Sequence, residues 1–427
     1  MLEELNTVRD FFIAFLFFYP LFMAYLWMIG AVYYYWRRER GRPSYQYEPD
    51  LPYSPGVSLV VPCFNEGAHL EETIEALARQ TYPNFEIIAV NDGSSDETGA
   101  TLDALASEYE CLRVVHFAGN QGKAMGLRMA ALVSPHEFLV CIDDDALLDP
   151  HATTWIMSHF VNGPRVGAVT GNPRIRTRST LLGRVQVGEF SAIIGMIKRA
   201  QRVYGRVFTV SGVVSGFRKS ALHQVGYWGL DKVTEDIDIS WKLQINHWDI
   251  RFEPNALCWI LMPETLRGLW KQRVRWAQGG YEVLLHNLPR MFRWKVRRMW
   301  PVVLEFLVAM AWSYSMLTVA VLWLLGYFLP LPDYLALPSM IPDWPGVVLG
   351  LTCLLQFAVS LTIDSRYEGG LGRYYYWMIW YPLAFWLISL LSSIVGLPRA
   401  IFKRRGRRAT WVSPDRGIAG ENAGERS

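Results

Sequence analysis

Three consecutive aspartates, Asp143, Asp144 and Asp145, end the apolar run "FLVCI" at 138–142. Carboxylates crowded at the end of a buried strand repel one another and call for a cation. Mg²⁺ suits them: one or two carboxylates hold it, and water and phosphate oxygens complete its shell. Side chains alternate along an extended chain, so Asp143 and Asp145 can face one ion while Asp144 points away as a bystander. An exposed acidic turn would carry the same letters. A second acidic group, Glu235, Asp236 and Asp238, lies in "VTEDIDIS" at 233–240. A separate carboxylate in the same domain is what a metal-plus-base mechanism needs. It equally suits the first turn of a helix capped by Thr234, and the two readings are compatible.

Three further groups could bind rather than react. Asp92 follows "IIAVN" and precedes Gly93, Ser94 and Ser95. It can accept a hydrogen bond from an N–H of a heterocycle, or serve as an N-cap or Asx-turn. Lys123, in "NQGKAMGL", opens a helical pattern. A cation is unfavourable at that end of a helix unless a phosphate joins it, although a solvated surface lysine reads the same way. In "KQRVRWAQGG" (271–280), Gln272, Arg275 and Trp276 stand at i, i+3 and i+4, on one helical face. An amide, a guanidinium and an indole side by side can bind a diphosphate and stack on a sugar. An amphipathic interfacial helix with a Trp anchor shares that pattern.

The elements that must position these groups form an alternating series. The strand-like runs "VSLVVPCF", "FEIIAVND", "LRVVHFA", "EFLVCIDDD" and "VGAVTGNP" are separated by helical patterns such as "AHLEETIEALARQ" and "GKAMGLRMAALV". Short continuous apolar strands between helices predict a Rossmann-like, mostly parallel α/β sheet covered on both faces. Ligands bind beyond the carboxyl ends of such strands, where the polar clusters fall.

Apolar stretches flank this domain. Residues 11–36 carry no charge and suffice to span roughly 30 Å of hydrocarbon. Arg37, Arg38, Arg40 and Arg42 follow, which puts the next segment in the cytoplasm. Further apolar runs lie at 301–329, 346–363 and 374–398. Three full spans there leave the C-terminus outside, whereas "KRRGRR" at 403–408 argues for inside, so one segment is expected to be re-entrant or interfacial. The expected organisation is a transmembrane helix at 1–36, a linker at 37–55, a catalytic domain with interfacial helices at 56–290, a membrane region at 291–402 and a basic, disordered tail at 403–427. The net charge of +3 does not suggest a nucleic-acid partner. The five cysteines lack zinc-ligand spacing and read as buried, reduced thiols.

The order of the motifs is more specific than any one of them. "VPCFNE" (61–66), "NDGS" (91–94), "NQGKA" (120–124), "DDD" (143–145), "TED" (234–236) and "QRVRW" (272–276) resemble the processive family 2 glycosyltransferases. These are the membrane-embedded synthases of cellulose, chitin, hyaluronan and poly-N-acetylglucosamine. The stretches 168–195, 204–222, 233–244, 256–280 and 411–417 are most similar to the poly-β-1,6-N-acetyl-D-glucosamine synthases of bacterial biofilms. Asp144 departs from the small residue familiar between the two outer aspartates. The single apparent N-terminal span is a second departure.

The resemblance implies a GT-A domain flanked by transmembrane helices in a bacterial inner membrane, with the catalytic domain cytoplasmic. It implies inverting transfer from UDP-N-acetylglucosamine to a growing polysaccharide, with Mg²⁺, or Mn²⁺ in its place. Asp92 would meet the uracil, with Pro62, Asn65 and Glu66 around the nucleotide. Lys123 would approach the diphosphate, and Asp143 and Asp145 would lie at the diphosphate and its metal. Asp236 would be the general base. Glu235, Gln272, Arg275 and Trp276 would hold the diphosphate and acceptor sugar, and Ser211 and Gly212 match the loop carrying the acceptor end. The alternatives are a chitin- or hyaluronan-type β-1,4 synthase or another UDP-sugar polysaccharide synthase and, in another class, an inactive transport or scaffold subunit. Related synthases work with a small auxiliary membrane subunit and respond to cyclic-di-GMP. The short stretch after the last apolar run leaves no room for a cyclic-di-GMP-binding barrel, so a partner would help form that site.

Overall fold

In the computed structural model all five apolar runs form strands: β1 (Val57–Cys63), β2 (Phe85–Asn91), β3 (Leu112–His116), β4 (Phe138–Ile142) and, beyond a two-residue β5 (Leu147–Leu148), β6 (Val166–Ile175). The structure describes residues 2–332, 335, 344–403, 406 and 408. Two more strands, β7 (Val214–Arg218) and β8 (Asp249–Ile260), join the sheet. Sequence patterning missed both, because β7 is short and holds Gly216, and β8 is broken by Pro254. The sheet order is β3-β2-β1-β4-β7-β6-β8-β5. Pairings β1/β2, β1/β4, β2/β3 and β6/β8 are parallel, and β4/β7, β6/β7 and β5/β8 antiparallel.

The helices before β6 are α1 (Leu2–Tyr34), α2 (Gly67–Ala78), α3 (Thr98–Glu108), α4 (Lys123–Val133) and α5 (Ala152–Val161). After it come α6 (Leu181–Phe190), α7 (Ile197–Tyr204), α8 (Lys219–Val225), α9 (Glu235–Ile245) and α10 (Leu266–Met291). The C-terminal part holds α11 (Trp300–Phe328), α12 (Trp344–Asp364) and α13 (Trp386–Phe402). β1 shows why its run is apolar throughout. Val57, Leu59 and Val61 enter the core with Leu70 and Ile74 of α2, whereas Val60 enters the opposite core with Leu127 of α4. A strand buried on both faces cannot alternate polar with apolar.

Three described helical segments are long and apolar enough to cross a membrane: Thr7–Glu39, Trp294–Phe328 and Trp344–Asp364. The first corrects the expected linker, since helix continues past Trp36 to Glu39. Glu39 is buried and receives Arg199 of α7 at 2.7 Å. Arg199 also meets Asp364 at 2.8 Å, and Arg174 of β6 meets Asp364 at 2.6 Å and Glu368 at 3.2 Å. This buried network locks α1, α7, α12 and the sheet into one geometry, because losing any member strands a charge.

The apolar run at 374–398 is not one continuous helix. Its first part is 3₁₀ and π turns (371–385), leaving the 17-residue α13 as helix. α13 packs on α10: a Cβ at Gly396 would lie 2.8 Å from Ala277 Cβ, and Tyr281 Oη shares a 2.5 Å hydrogen bond with Ser393 Oγ. Two long apolar helices and a short one thus follow the domain among the described residues. The tail from 409 to 427 lies outside the described residues.

Candidate active site

β4 delivers the three aspartates, but not as an extended chain. Strand ends at Ile142, and Ala146 N donates to Asp143 O at 3.2 Å across a turn. The three aspartates thus follow in a turn, and the extended chain on which the expected alternation rests is not there. Burial and then Asp143, Asp145 and Asp149 raise the Cys258 thiol, whereas Asp144 acts on Cys63, after burial.

Asp144 is no bystander, which corrects the sequence expectation. It is fully buried, and its Oδ2 accepts from Phe64 N at 3.2 Å. Its carbonyl accepts from Thr73 Oγ1 of α2 at 2.8 Å. It fastens the β4 turn to the loop after β1. Asp144→Gly is expected to destabilise the protein by about 2 kcal/mol, read as a lower melting temperature in detergent. A wild-type melting temperature would contradict this anchoring role.

Lys123 neutralises one member of the cluster, Asp143. It is the first residue of α4, after Gly122 at φ +90°. Its ammonium pairs with Asp143, donates to Gly212 O at 3.2 Å and lies 3.4 Å from Glu235 Oε1. Burial works against its charge, but Asp143 and Glu235 outweigh it and raise its pKa above the ordinary lysine value.

Asp92 is fully buried. Its carboxylate accepts from Gln121 N at 2.7 Å and Gly122 N at 2.8 Å, so it shapes the loop that presents Lys123. Asn65, at φ +55°, ties the β1 and β2 loops: its N donates to Ser94 Oγ at 3.1 Å and its Oδ1 accepts from Ser95 N at 2.8 Å. Glu66 is buried beside Thr98, whose hydroxyl accepts from Glu66 N at 3.0 Å. Pro62 lies inside β1, opposite Val90, with α4 close above it at Gly126, so its placement is one of packing.

Asp236 stands in the first turn of α9. Thr234 makes no side-chain cap there, contrary to the expected geometry; Gly279 of α10 presses against it instead. Asp236 Oδ1 accepts from Ile237 N at 2.9 Å. A Cβ on Gly212 would lie 3.4 Å from Asp236 Oδ2, so the loop through Ser211 and Gly212 borders this carboxylate closely. Burial and then Glu235 push its pKa up to about 6, with Lys123, the Ile237 N–H and Arg275 pulling against them. A carboxyl poised near 6 can take a proton at neutral pH.

On α10, Arg275 is exposed and its charge reaches Asp236. Gln272 Oε1 has no hydrogen-bond partner among the described residues, which leaves an acceptor for a ligand. Trp276 is half-buried under the Arg273 guanidinium, 4.5 Å from the ring centroid. Buried Arg273 in turn pairs with Glu189 of α6 at 2.5 Å. Sequence reasoning missed both supports, although Arg273 sits inside "QRVRW" itself. The structure thus unites Lys123, Asp143, Gly212, Glu235, Asp236 and Arg275 from five separate segments.

Residues 55–279 match the family described as Glycosyltransferase like family 2. The chain belongs to that family. It is 38% identical over 404 residues to a protein named poly-beta-1,6-N-acetyl-D-glucosamine synthase from Staphylococcus epidermidis, covering 94% of this chain and 98% of the relative. A protein of the same name from Staphylococcus aureus is 38% identical over 408 residues, covering 95% and 98%. Among solved structures, a mannosyltransferase, PcManGT from Pyrobaculum calidifontis, described in complex with GDP-Man and Mn2+, aligns with TM-score 0.64 at 19% identity over 93% of this chain and 99% of that one. This likeness carries the GT-A fold. The family 2 transferase is thus a mixed sheet with its polar residues gathered at the carboxyl ends of β1, β2 and β4.

Proposed function

We propose that this glycosyltransferase polymerises N-acetylglucosamine from UDP-N-acetylglucosamine into β-1,6-linked poly-N-acetylglucosamine. The observation that carries the product is the 38% identity, over nearly the whole of both chains, to relatives named for that polymer. The site chemistry supports the reaction. Asp236 takes the proton from the acceptor hydroxyl as its oxygen bonds to the anomeric carbon. The bond from that carbon to the UDP oxygen breaks on the opposite face, and UDP leaves with the electron pair. Direct displacement inverts an α-linked donor to a β-linked product. Lys123 and Arg275 meet the negative charge developing on the diphosphate. Gln272, Glu235 and Trp276 hold the diphosphate and acceptor sugar, and Asp92, Asn65 and Glu66 shape the nucleotide side.

Asp143 and Asp145 would hold a divalent cation. Two carboxylates close together in one turn after β4, with phosphate oxygens to complete the shell, would suit Mg²⁺ or Mn²⁺. Such an ion neutralises the leaving diphosphate. Lys123 already pairs with Asp143, so a bound diphosphate would compete for the ammonium and would leave the carboxylate to a metal ion.

The same reading makes the protein multi-pass, with its catalytic domain cytoplasmic. Arg37, Arg38, Arg40 and Arg42 follow the first span, and Arg293, Lys295, Arg297 and Arg298 surround the start of the second. Arg366 and Arg373 follow the third, so all three clusters lie on the side of the domain. The test is incubation of membranes holding the protein with UDP-N-acetylglucosamine and Mg²⁺, then linkage analysis. A chitinase-resistant polymer cleaved by a β-1,6-hexosaminidase is expected; a β-1,4 product overturns the assignment. An auxiliary subunit and cyclic-di-GMP control belong to the same reading. Full-affinity cyclic-di-GMP binding by the chain alone would remove the need for a partner in that control.

A further inference from the structure

Lys198 of α7 is a buried cation that the reaction above does not use. Its side chain is 3% exposed, and it makes no ion pair among the described residues. Its one hydrogen-bond partner among them is Thr170 Oγ1 of β6, at 2.8 Å. An ammonium kept out of water without a carboxylate costs several kcal/mol, whereas an apolar side chain of the same length would cost nothing. Such a group points to a functional constraint.

The constraint lies on the far side of Thr170. The same Oγ1 accepts from Ser211 N at 2.8 Å, so one hydroxyl joins Lys198 to the loop that borders Asp236. That loop is held elsewhere by Ser240, whose hydroxyl accepts from Val210 N at 2.8 Å and donates to Asp236 O at 2.6 Å. Beyond these bonds, Lys198 acts on Asp236 through its charge. The charged groups facing Asp236 are Glu235 on its own helix, Lys123 of α4, Arg275 of α10 and Lys198 of α7. Lys198 makes no direct bond to it among the described residues, so it leaves the carboxylate open to an acceptor. α7 also packs on the first membrane span: Tyr204 Oη donates to Leu26 O at 2.6 Å.

We propose that Lys198 is a positioning residue for glycosyl transfer, holding the Ser211–Gly212 loop through Thr170 and setting its charge against Asp236. This rests on the reading of that loop as the acceptor side of the site. Burial lowers the Lys198 pKa to about 7, with Asp236 opposing, in keeping with an ammonium that has no closer counter-charge.

The test uses the full-length protein in nanodiscs with UDP-N-acetylglucosamine and Mg²⁺, comparing wild type, Lys198→Met, Lys198→Arg and Thr170→Val. Lys198→Met is expected to lower kcat by about tenfold or more, since small misplacements of reacting groups are costly. KM for the donor should stay within about twofold, because donor contacts are untouched. The acidic limb of kcat/KM should move to higher pH, since a cation that favours the Asp236 carboxylate is gone. Thr170→Val should reproduce the kcat loss without the pH shift, and Lys198→Arg should keep the wild-type limb. UDP binding by calorimetry reports whether each variant is folded. A Lys198→Met enzyme that binds UDP and has wild-type kcat and pH profile overturns the proposal, as does a donor KM that rises in step with the loss. If Lys198→Met fails to bind UDP, Thr170→Val decides, and wild-type kcat there overturns it. A wild type that makes no polymer from this donor defeats the functional reading instead.

Discussion

Asp236→Asn should abolish polymer synthesis, lowering incorporation of labelled N-acetylglucosamine by about 10³-fold, within the range that general-base removal produces. UDP affinity should be unchanged by calorimetry. An amide is nearly isosteric with a carboxyl, and it still accepts the Ile237 N–H bond now made at 2.9 Å. What it lacks is basicity. A hydroxyl is a poor nucleophile at neutral pH, so losing the base is felt in the chemical step alone. The pH dependence follows from the same group. The Asp236 pKa is pushed up to about 6 by burial and Glu235, and the reaction needs the carboxylate. Activity should therefore fall as the pH drops through about 6, and the remaining Asp236→Asn activity should lose that limb. An active Asp236→Asn enzyme would remove Asp236 from the role of base.

The parts of this protein that sequence made plain share a cause. β1, β2 and β4 are buried on both faces, so their runs are uniformly apolar and their ends are marked by polar residues. Asp92 and Asp143, which follow β2 and β4, could be named as candidates for the same reason, and Lys123 because it opens α4. What stayed hidden depends on contacts across long separations. Asp144 looked idle because nothing local shows that Phe64 N, 80 residues earlier, donates to it. β8 was masked by Pro254 and by its mixed polarity, although it pairs parallel to β6. Glu39 looked like part of a linker because its partner Arg199 lies 160 residues away. Which of the three C-terminal apolar runs is not a long helix stayed hidden, because an apolar composition does not distinguish one span from 3₁₀ turns followed by a short helix against α10. Lys198 and Arg273 were passed over because a charge in an amphipathic stretch ordinarily faces water, and here both are buried.

Asp143→Ala should also abolish transfer, by about 10²-fold or more, and for a reason separable from Asp236. Asp143 holds the Lys123 ammonium, whose next carboxylate is Glu235 at 3.4 Å. Without Asp143 that cation is drawn toward Glu235 and Asp236. It then favours the Asp236 carboxylate more strongly and weakens it as a base. The acidic limb of any residual activity should consequently move to lower pH. Lys123→Met removes the same cation, so its limb should move to higher pH. Asp145→Ala leaves Lys123 paired with Asp143 and should leave the limb where it is, while raising the Mg²⁺ concentration needed for half-maximal rate. These three variants share a loss of rate and differ in the sign of the pH shift, so profiles on residual activity separate them. Opposite shifts for Asp143→Ala and Lys123→Met would establish that the pair tunes the base as well as binding the diphosphate. Identical profiles would mean that Asp143 acts through the diphosphate and its metal alone.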